Sequence, residues 1–312
     1  MSCEQKPEIS IIIRSKNEDR FIGQVLSAIF QQEIDLPFEV IVIDSGSTDR
    51  TLDIVRRHAV RLYEIEARKF SYGWALNLGA KLAEGGYLIN LSAHCIPTSD
   101  RWIANLLKDL RANPSIAATY GGQVPIKGLN PFEERILLDA FTSDGDGNIG
   151  PPFSNANCAV RKKTWERYPF DEKASFAEDF IWSQLLPEEH KIKYVPQAAV
   201  YHSHPLQFGY WSKRSYDNGV FRQYLEHVYG LQYRWAGAGN GLASDRPYWK
   251  EFFGAVGRHA VRYAKVISFL IENRYLKFLP VFPIYSLLER YYYRRGLADG
   301  RKLYGRSERP VP

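Results

Sequence analysis

Short apolar runs alternate with amphipathic segments along the first third of the chain. Two runs rich in β-branched residues, Glu8–Ile13 and Glu39–Asp44, have the length and composition of strands buried on both faces. Between them, Asp19–Gln31 spaces its apolar residues like a helix that faces a core. The alternation continues downstream and predicts further helices and strands at Thr51–His58, Val60–Ile65, Ala75–Ala83 and Gly86–Leu91.

This alternation predicts an α/β fold, because parallel strands are joined by right-handed helical crossovers. The sheet is expected to be mostly parallel and flanked by helices. Ligands of such sheets bind outside the carboxyl ends of the strands. We therefore expect the loops that follow Ile13, Ile43 and Leu91 to meet at one mouth.

The pattern becomes less regular after Pro97. Residues Asn130–Pro152 are rich in Gly, Asp and Pro, which favours a long surface loop. From Gln207 onward the chain is rich in aromatic residues and is predicted to be helical.

The composition argues against several classes of protein. Hydrophobic residues make up 45% and charged residues 24% of the 312 positions, as is typical of a globular chain. The three cysteines, Cys3, Cys95 and Cys158, have no CxxC spacing, which argues against a disulfide framework or a structural zinc site and favours a reducing compartment. No segment has the pattern of a signal peptide, and no apolar run reaches the roughly 18 residues of a membrane span, so we expect a cytoplasmic protein.

The net charge of +6 is unevenly distributed. Six basic residues lie between Arg290 and Arg306, opposed only by Asp299, and the tyrosines Tyr291–Tyr293 lie among them. Basic residues with interfacial aromatics suit a peripheral contact with an anionic membrane. The alternative is a solvated helix end whose aromatics pack inward. Since the chain has no nucleic-acid recognition module, we expect no nucleic-acid partner.

Two loops after predicted strands carry candidate ligand contacts. In the loop Asp44–Asp49, carboxylates could hold a ribose or base, although the alternative is an ordinary Asx turn in which Asp49 caps a helix. His94 follows the strand Gly86–Leu91 and could bind a metal or a diphosphate, although a lone histidine is more often structural. His202 and His204 would point to the same side of an extended segment and could face one ligand, but two histidines alone do not define a metal site.

Glu178 and Asp179 lie side by side in the aromatic segment Phe176–Trp182. Apolar surroundings raise the pKa of a carboxylate above its usual value, which suits a general base. The alternative is that the two residues cap a helix at its amino terminus.

Taken together, these segments resemble glycosyltransferase family 2, whose fold is the GT-A nucleotide-sugar fold. The nucleotide-binding half of that family is matched by "ISIIIRSKNE" followed by "VIVIDSGSTDRT". A bacterial rhamnosyltransferase-like branch is matched more closely, through "FSYGWALNLGA", "YLINLSAHCIPTSDRWIANLL", "YGGQVP", "FSNANCAVRKKTWE", "FAEDFIWS" and "YVPQAAVYHSH". The resemblance covers about residues 8–220.

The resemblance implies a set of donor-binding residues at the strand ends. In this chain they are Arg14, Ser15, Glu18, Asp44, Ser45, Asp49, Arg68, Phe70, Gly73, Asn77, Ser92 and His94. Asp44 would lie near the base and ribose, and the residues from Arg68 to Asn77 would lie beside the diphosphate and sugar. Asp179 would be the catalytic base, and Glu178 would bind the sugar or the acceptor.

The segment Ser92–Cys95 departs from the family pattern, which has an aspartate motif there. One reading keeps a divalent metal, Mn²⁺ or Mg²⁺, held by His94 with His202 or His204; Mg²⁺ prefers oxygen ligands, so histidine is a poor substitute for it. The other reading is metal-independent, with positive charge supplied by the histidines, by Arg68 or by Lys213 and Arg214.

The resemblance implies an inverting glycosyltransferase of cell-surface polysaccharide synthesis. It would move a sugar, rhamnose in that branch, from a nucleoside diphosphate to a glycan or polyprenyl-linked glycan at the inner face of the cytoplasmic membrane. Residues 1–205 would form the catalytic domain, with a nucleotide half at 8–97 and an acceptor half at 98–205, and residues 206–312 a helical region that contacts a membrane or another subunit. The alternative is an inactive homologue that binds nucleotide sugar or glycan. A nucleotidyltransferase is disfavoured because Arg14–Glu18 contains no glycine.

Overall fold

The computed structural model describes residues 6–141, 153–231 and 263–305. The chain groups into two compact units: Met1–Pro125 with Ser143–Ser203, and Ile126–Thr142 with His204–Pro312. The functional division into a catalytic domain of residues 1–205 and a helical region of residues 206–312 stays a prediction.

The first unit is built on one mixed sheet of eight strands. They are β1 (Ile9–Ser15), β2 (Phe38–Asp44), β3 (Arg61–Glu64), β4 (Tyr87–Ser92), β5 (Ile96–Pro97), β6 (Ile116–Val124), β7 (Asn157–Arg161) and β8 (Lys191–Tyr201). Their order in the sheet is β3-β2-β1-β4-β7-β6-β8-β5. The first four strands pair in parallel, as the alternating pattern predicted, and β6 is parallel to β8. Antiparallel pairing joins β7 to β4 and β6, and β5 to β8.

Helices cover both faces of this sheet. They are α1 (Ile22–Phe30), α2 (Thr51–Val55), α3 (Tyr72–Leu82), α4 (Trp102–Ala112), α6 (Lys162–Arg167) and α7 (Glu178–Leu185). Alternate residues of β1 point to opposite faces of the sheet. Ile11 and Ile13 pack in the core that contains α1 and α4, and Ile12 packs in the core that contains α3. A strand buried on both faces therefore reads as a continuous β-branched run.

Three sequence-based boundaries need correction. The first helix begins at Ile22 rather than Asp19, because Glu18 starts a turn in which its carbonyl accepts from the N–H groups of Phe21 and Ile22. The second helix ends at Val55 rather than His58. The third helix begins at Tyr72 rather than Ala75, where the Ser71 side chain caps it through the Trp74 N–H.

The prediction of a surface loop over Asn130–Pro152 is wrong for Pro131–Phe141. Pro131–Phe141 forms helix α5, and residues 142–152 lie outside the described ranges. Asn130 Oδ1 accepts from the N–H groups of Phe132 and Glu133, and Pro131 occupies a first-turn position where no N–H is needed. Phe132 and Leu137 of this helix are both buried.

The second unit is helical, as predicted for the carboxyl-terminal region. It contains α5, α8 (Phe208–Tyr224) with a π-helical turn at Leu225–Tyr229, α9 (263–272), a 3₁₀ turn at Leu276–Phe278 and α10 (Val281–Tyr304). Its core is an aromatic cluster of Phe132, Trp211, Phe269, Leu270, Phe282 and Tyr285. Across the described ranges, every helix is too short or too polar to cross a lipid bilayer.

Glycines allow α8 and α10 to pack backbone against backbone. A Cβ atom at Gly219 would collide with the backbone carbonyl of Tyr293, and one at Gly296 would collide with that of Tyr216. The two helices can hold this separation only if both positions lack a side chain.

We predict that Gly219→Ala lowers the free energy of unfolding by about 1–3 kcal/mol, because the added methyl must displace backbone. Gly209→Ala in the same helix is the matched control, since a Cβ there meets nothing within 4 Å and alanine favours a helix over glycine. Chemical denaturation of both variants measures the difference. Equal stability would contradict the close packing of α8 on α10.

Candidate active site

The carboxyl ends of three parallel strands lie level with one another. Ser15 of β1 pairs with Asp44 of β2, and Arg14 of β1 pairs with Ser92 of β4. The loops that follow these strands therefore start from one edge of the sheet, as predicted. The Asn17 side chain joins two of them by accepting from the N–H of Thr48 at 2.8 Å.

Asp44 organises the loop in which it lies. Its fully buried carboxylate accepts hydrogen bonds from four donors, the hydroxyls of Ser15 and Ser47 and the N–H groups of Gly46 and Ser47, at 2.6–3.0 Å. Gly46 has φ +87°, which a residue with a Cβ rarely adopts. In the structure Asp44 thus shapes the turn, and its contact with a nucleotide base or ribose stays a prediction.

Asp49 forms an Asx turn, as in the alternative reading of this loop, but the N-cap residue of α2 is Arg50 and not Asp49. Its carboxylate accepts from the N–H groups of Thr51 at 2.9 Å and Asp19 at 3.2 Å. Burial raises the pKa of Asp49, but the hydrogen bonds from Thr51 and Asp19 outweigh it and leave the pKa below its usual value. Thr51 also accepts from the N–H of Glu18, so the two loops are joined a second time.

Two histidines meet next to these loops. The pairing of Ile96 with Tyr201 joins β5 to β8 and brings the residues just before Ile96 next to His202. The rings of His94 and His202 stack with centroids 5.1 Å apart. His94 Nδ1 lies 2.8 Å from Glu18 Oε1, and His202 Nδ1 lies 2.6 Å from Gln123 Oε1.

Both hydrogen bonds orient the rings in the same way. Each accepting oxygen favours the proton on Nδ1, which places the ring lone pair on Nε2. Among the described residues, His94, Cys95 and His202 can offer ligand atoms that lie within 4.8 Å of one another. His204 belongs to the second unit, where its Nδ1 lies 2.7 Å from Glu133 Oε1.

Glu178 and Asp179 form the first turn of α7. The buried Glu178 accepts from Arg14 Nη1 and from the Asn155 side chain, each at 3.3 Å. Half-buried Asp179 accepts from the N–H groups of Asn155 at 3.1 Å and of Phe180 at 2.8 Å. Just before them, Ala177 has φ 53°, the strained left-handed region for a residue with a side chain.

The environment of Asp179 suits a proton acceptor at neutral pH. Burial, and next the charge of Glu178, raise its pKa to about 7, although hydrogen bonds from Asn155 and Phe180 and the charge of Arg14 oppose the rise. A base with this pKa is ionised often enough to accept a proton and basic enough to hold it.

Several residues at this site were not predicted. Asn155 contacts both acidic residues and Gln123 orients His202, yet neither was assigned a role although both lie in segments that carry the family resemblance. The Tyr72 ring lies 5.0 Å from the guanidinium carbon of Arg14. An amide side chain gives no chemical signal in sequence until its charged partner is known.

Other predicted donor contacts are engaged elsewhere. Arg68 is exposed and pairs with Glu66, and Phe70 packs edge-on against Tyr72. The buried Asn77 side chain forms hydrogen bonds with Trp165, Phe170 and Glu172.

Two further predicted residues have backbone roles in the structure. A Cβ at Gly73 would collide with the Asp171 carbonyl. The backbone carbonyl of Ser92 accepts from the N–H of Cys95. For all of these residues, contact with a donor stays a prediction.

Residues 10–167, about half of the chain, match the family model described as Glycosyl transferase family 2. The chain therefore belongs to glycosyl transferase family 2. It is 28% identical over 281 residues to the O-antigen chain rhamnosyltransferase RfbN of Salmonella typhimurium, covering 85% of this chain and 82% of that protein. It is 25% identical to the O-antigen chain rhamnosyltransferase WbaN of Salmonella anatum, covering 86% and 82%.

The fold is shared with a solved mannosyltransferase. The mannosyltransferase PcManGT from Pyrobaculum calidifontis, solved in complex with GDP-Man and Mn²⁺, superposes with a TM-score of 0.58 at 18% identity, covering 97% of this chain and 89% of that one. The GT-A fold expected from the sequence is thereby confirmed, and family membership makes the protein a glycosyltransferase.

We predict that Asp179→Asn stabilises the protein above pH 7 and has little effect near pH 4. The raised pKa means that the folded protein keeps a proton on Asp179 that the unfolded chain has lost, so the wild type loses stability as pH rises from about 4 to about 7. Asparagine carries no such charge, and near pH 4 it matches the protonated acid in shape. Unfolding free energies measured across this range test the sign. A constant difference between the two proteins would contradict the raised pKa.

Proposed function

We propose that this family 2 glycosyltransferase is an inverting enzyme and that Asp179 is its catalytic base. The observation that carries the proposal is the position of Asp179, a half-buried carboxylate in the first turn of α7 whose pKa is raised to about 7. The carboxyl ends of β1, β2 and β4 provide the donor side of the site, since ligands of α/β sheets bind at such ends.

The proposed reaction is a single in-line displacement. An acceptor hydroxyl gives its proton to a carboxylate oxygen of Asp179 while its oxygen forms a bond to the anomeric carbon. The bond from that carbon to the β-phosphate oxygen breaks with its electron pair, so the nucleoside diphosphate leaves from the opposite face. Positioning of donor and acceptor removes much of the entropic barrier.

Glu178 has a different role in this proposal. Its hydrogen bond from Arg14 holds the side chain in place, and a carboxylate accepts hydrogen bonds from sugar hydroxyls. Its charge also raises the pKa of Asp179. Arg14 and Asn155 are thus proposed as positioning residues that hold the acidic pair.

The donor is proposed to be a nucleoside-diphosphate sugar with rhamnose as the transferred sugar. The support is the similarity of the chain to RfbN and WbaN, both O-antigen chain rhamnosyltransferases. The acceptor would then be a growing glycan of a cell-surface polysaccharide. We also propose that this glycan is carried on a polyprenyl lipid at the inner face of the cytoplasmic membrane.

The chemistry of the available ligands fits a divalent transition metal better than Mg²⁺. His94 and His202 provide imidazole nitrogens, and Cys95 provides a buried sulfur beside them. Mg²⁺ demands oxygen ligands, whereas imidazole and thiolate ligands suit transition metals. When bound, such a cation supplies charge that stabilises the leaving diphosphate. PcManGT is described with Mn²⁺, which supports this choice.

In the metal-independent alternative, His94 and His202 stabilise the leaving diphosphate themselves. If His94 and His202 are protonated, they provide the positive charge directly, with Arg68 as a further source. Dependence of nucleotide binding on a metal separates the two readings.

We predict that Asp179→Asn lowers the rate of sugar transfer about 10²–10⁴-fold, the usual contribution of a positioned base, and leaves nucleotide binding within about twofold. The control is Glu188→Gln, an exposed carboxylate just beyond α7. Transfer is followed by release of the nucleoside diphosphate from dTDP-, UDP- and GDP-sugars. Near-normal turnover of Asp179→Asn would exclude Asp179 as the base, and absence of transfer in the wild type would favour a binding protein.

We predict that one of dTDP, UDP and GDP binds more tightly with Mn²⁺ than with Mg²⁺, and that EDTA weakens this binding at least about tenfold. His94→Ala should remove the difference between Mn²⁺ and EDTA. His58→Ala is the control, since His58 is bound to the Ile54 carbonyl next to α2. Titration calorimetry measures each affinity. Equal affinity with Mn²⁺ and with EDTA would support the metal-independent reading.

A further inference from the structure

One side of α10 exposes apolar side chains. Ile284, Leu287 and Tyr291 are 55%, 65% and 59% exposed. Their spacing of three and four residues puts them on the same side of the helix. Further exposed residues continue this line toward the end of the helix; they are Arg294, Arg295, Ala298 and Lys302. These seven residues are called the α10 stripe.

The opposite side of α10 holds the helix in the second unit. Phe282 and Tyr285 are buried in the aromatic core, where Tyr285 stacks on Phe132 with ring centroids 4.5 Å apart. Gly296 and Gly300 pack closely against α8. The packing of the described second unit therefore relies on the other side of the helix, and substitutions in the α10 stripe are expected to preserve the fold.

The stripe combines apolar residues with positive charge. Residues 263–305 carry eight Lys or Arg and three Asp or Glu. One of the three acids, Asp299, already pairs with Lys302 at 3.3 Å and with Arg295 at 4.0 Å. The charge that remains in this part of the chain is clearly positive.

We propose that the α10 stripe docks the protein on an anionic lipid bilayer. Ile284, Leu287 and Tyr291 would insert at the boundary of headgroups and acyl chains, and Arg294 and Lys302 would lie at the lipid phosphates. A helix with an apolar line, interfacial tyrosine and basic residues is suited to lying in the plane of a membrane surface. A helix that lies in the surface plane buries one side only, so the contact would be with one leaflet.

Charge favours a lipid surface over a second copy of the chain. A two-fold symmetric pairing would bring together two stripes that both carry net positive charge. An anionic leaflet instead neutralises this charge. The inference stands on the second unit and is independent of the proposed transfer reaction.

The test is co-sedimentation of the full chain with vesicles. Vesicles of phosphatidylcholine mixed with phosphatidylglycerol are expected to bind the wild type, and Leu287→Glu is expected to lower the partition coefficient at least about tenfold. Leu303→Glu is the matched control, because Leu303 is 64% exposed on the same helix but lies about 100° around it from Ile284. It should change binding by less than about twofold.

The second arm tests the electrostatic part of the contact. Binding should weaken on vesicles of phosphatidylcholine alone and at high salt, because salt screens the charges. Equal binding to both kinds of vesicle, no vesicle binding, or unchanged binding of Leu287→Glu would overturn the proposal. So would light scattering that shows a wild-type dimer and a Leu287→Glu monomer. Nucleotide binding measured on the same samples separates this outcome from failure of the proposed function.

Discussion

The parallel pairing of β1 with β2 and β4 fixes the geometry on which the site depends. Because the registers match Ser15 to Asp44 and Arg14 to Ser92, three loops begin at the same level of the sheet. The Ser15 hydroxyl then donates to Asp44, Glu18 reaches His94, and Arg14 reaches Glu178 on α7. A slip of one residue in β1 would reverse which side chains face each core and would separate all three contacts.

The acidic pair at the start of α7 is held at a cost to stability. Glu178 is buried and Asp179 is half-buried, and of the two only Glu178 forms an ion pair, with Arg14. The backbone at Ala177 is strained as well. Such features persist where the surrounding structure holds them and where chemistry needs a perturbed acid or base. The same burial that weakens the fold at neutral pH brings the pKa of Asp179 to about 7, where a base is effective.

The sequence predicted those strands and helices that have a clear local pattern of apolar and polar residues. The strands near Ile9–Ser15 and Phe38–Asp44 were found because runs buried on both faces have a distinctive composition. Helix α5 was missed because the Gly- and Asp-rich residues after it dominated the reading of Asn130–Pro152, although the Asn-Pro pair at its start is a helix-start signal.

The contacts that define the site could not be predicted from the local sequence pattern. Glu18 and His94 are 76 positions apart, and Arg14 and Glu178 are 164 apart. Only the folded sheet brings such pairs together. The roles of Asn155 and Gln123 depend on those long-range partners, which is why the sequence named the charged residues but not the amides that position them.

The central claim is a single displacement assisted by Asp179, and the stereochemistry of transfer tests it most directly. Proton NMR of the first product formed from the preferred nucleotide sugar reports the configuration at the anomeric carbon. The account predicts that the new glycosidic bond has the configuration opposite to that of the donor. A product that retains the donor configuration would contradict the single displacement and require a different role for Asp179.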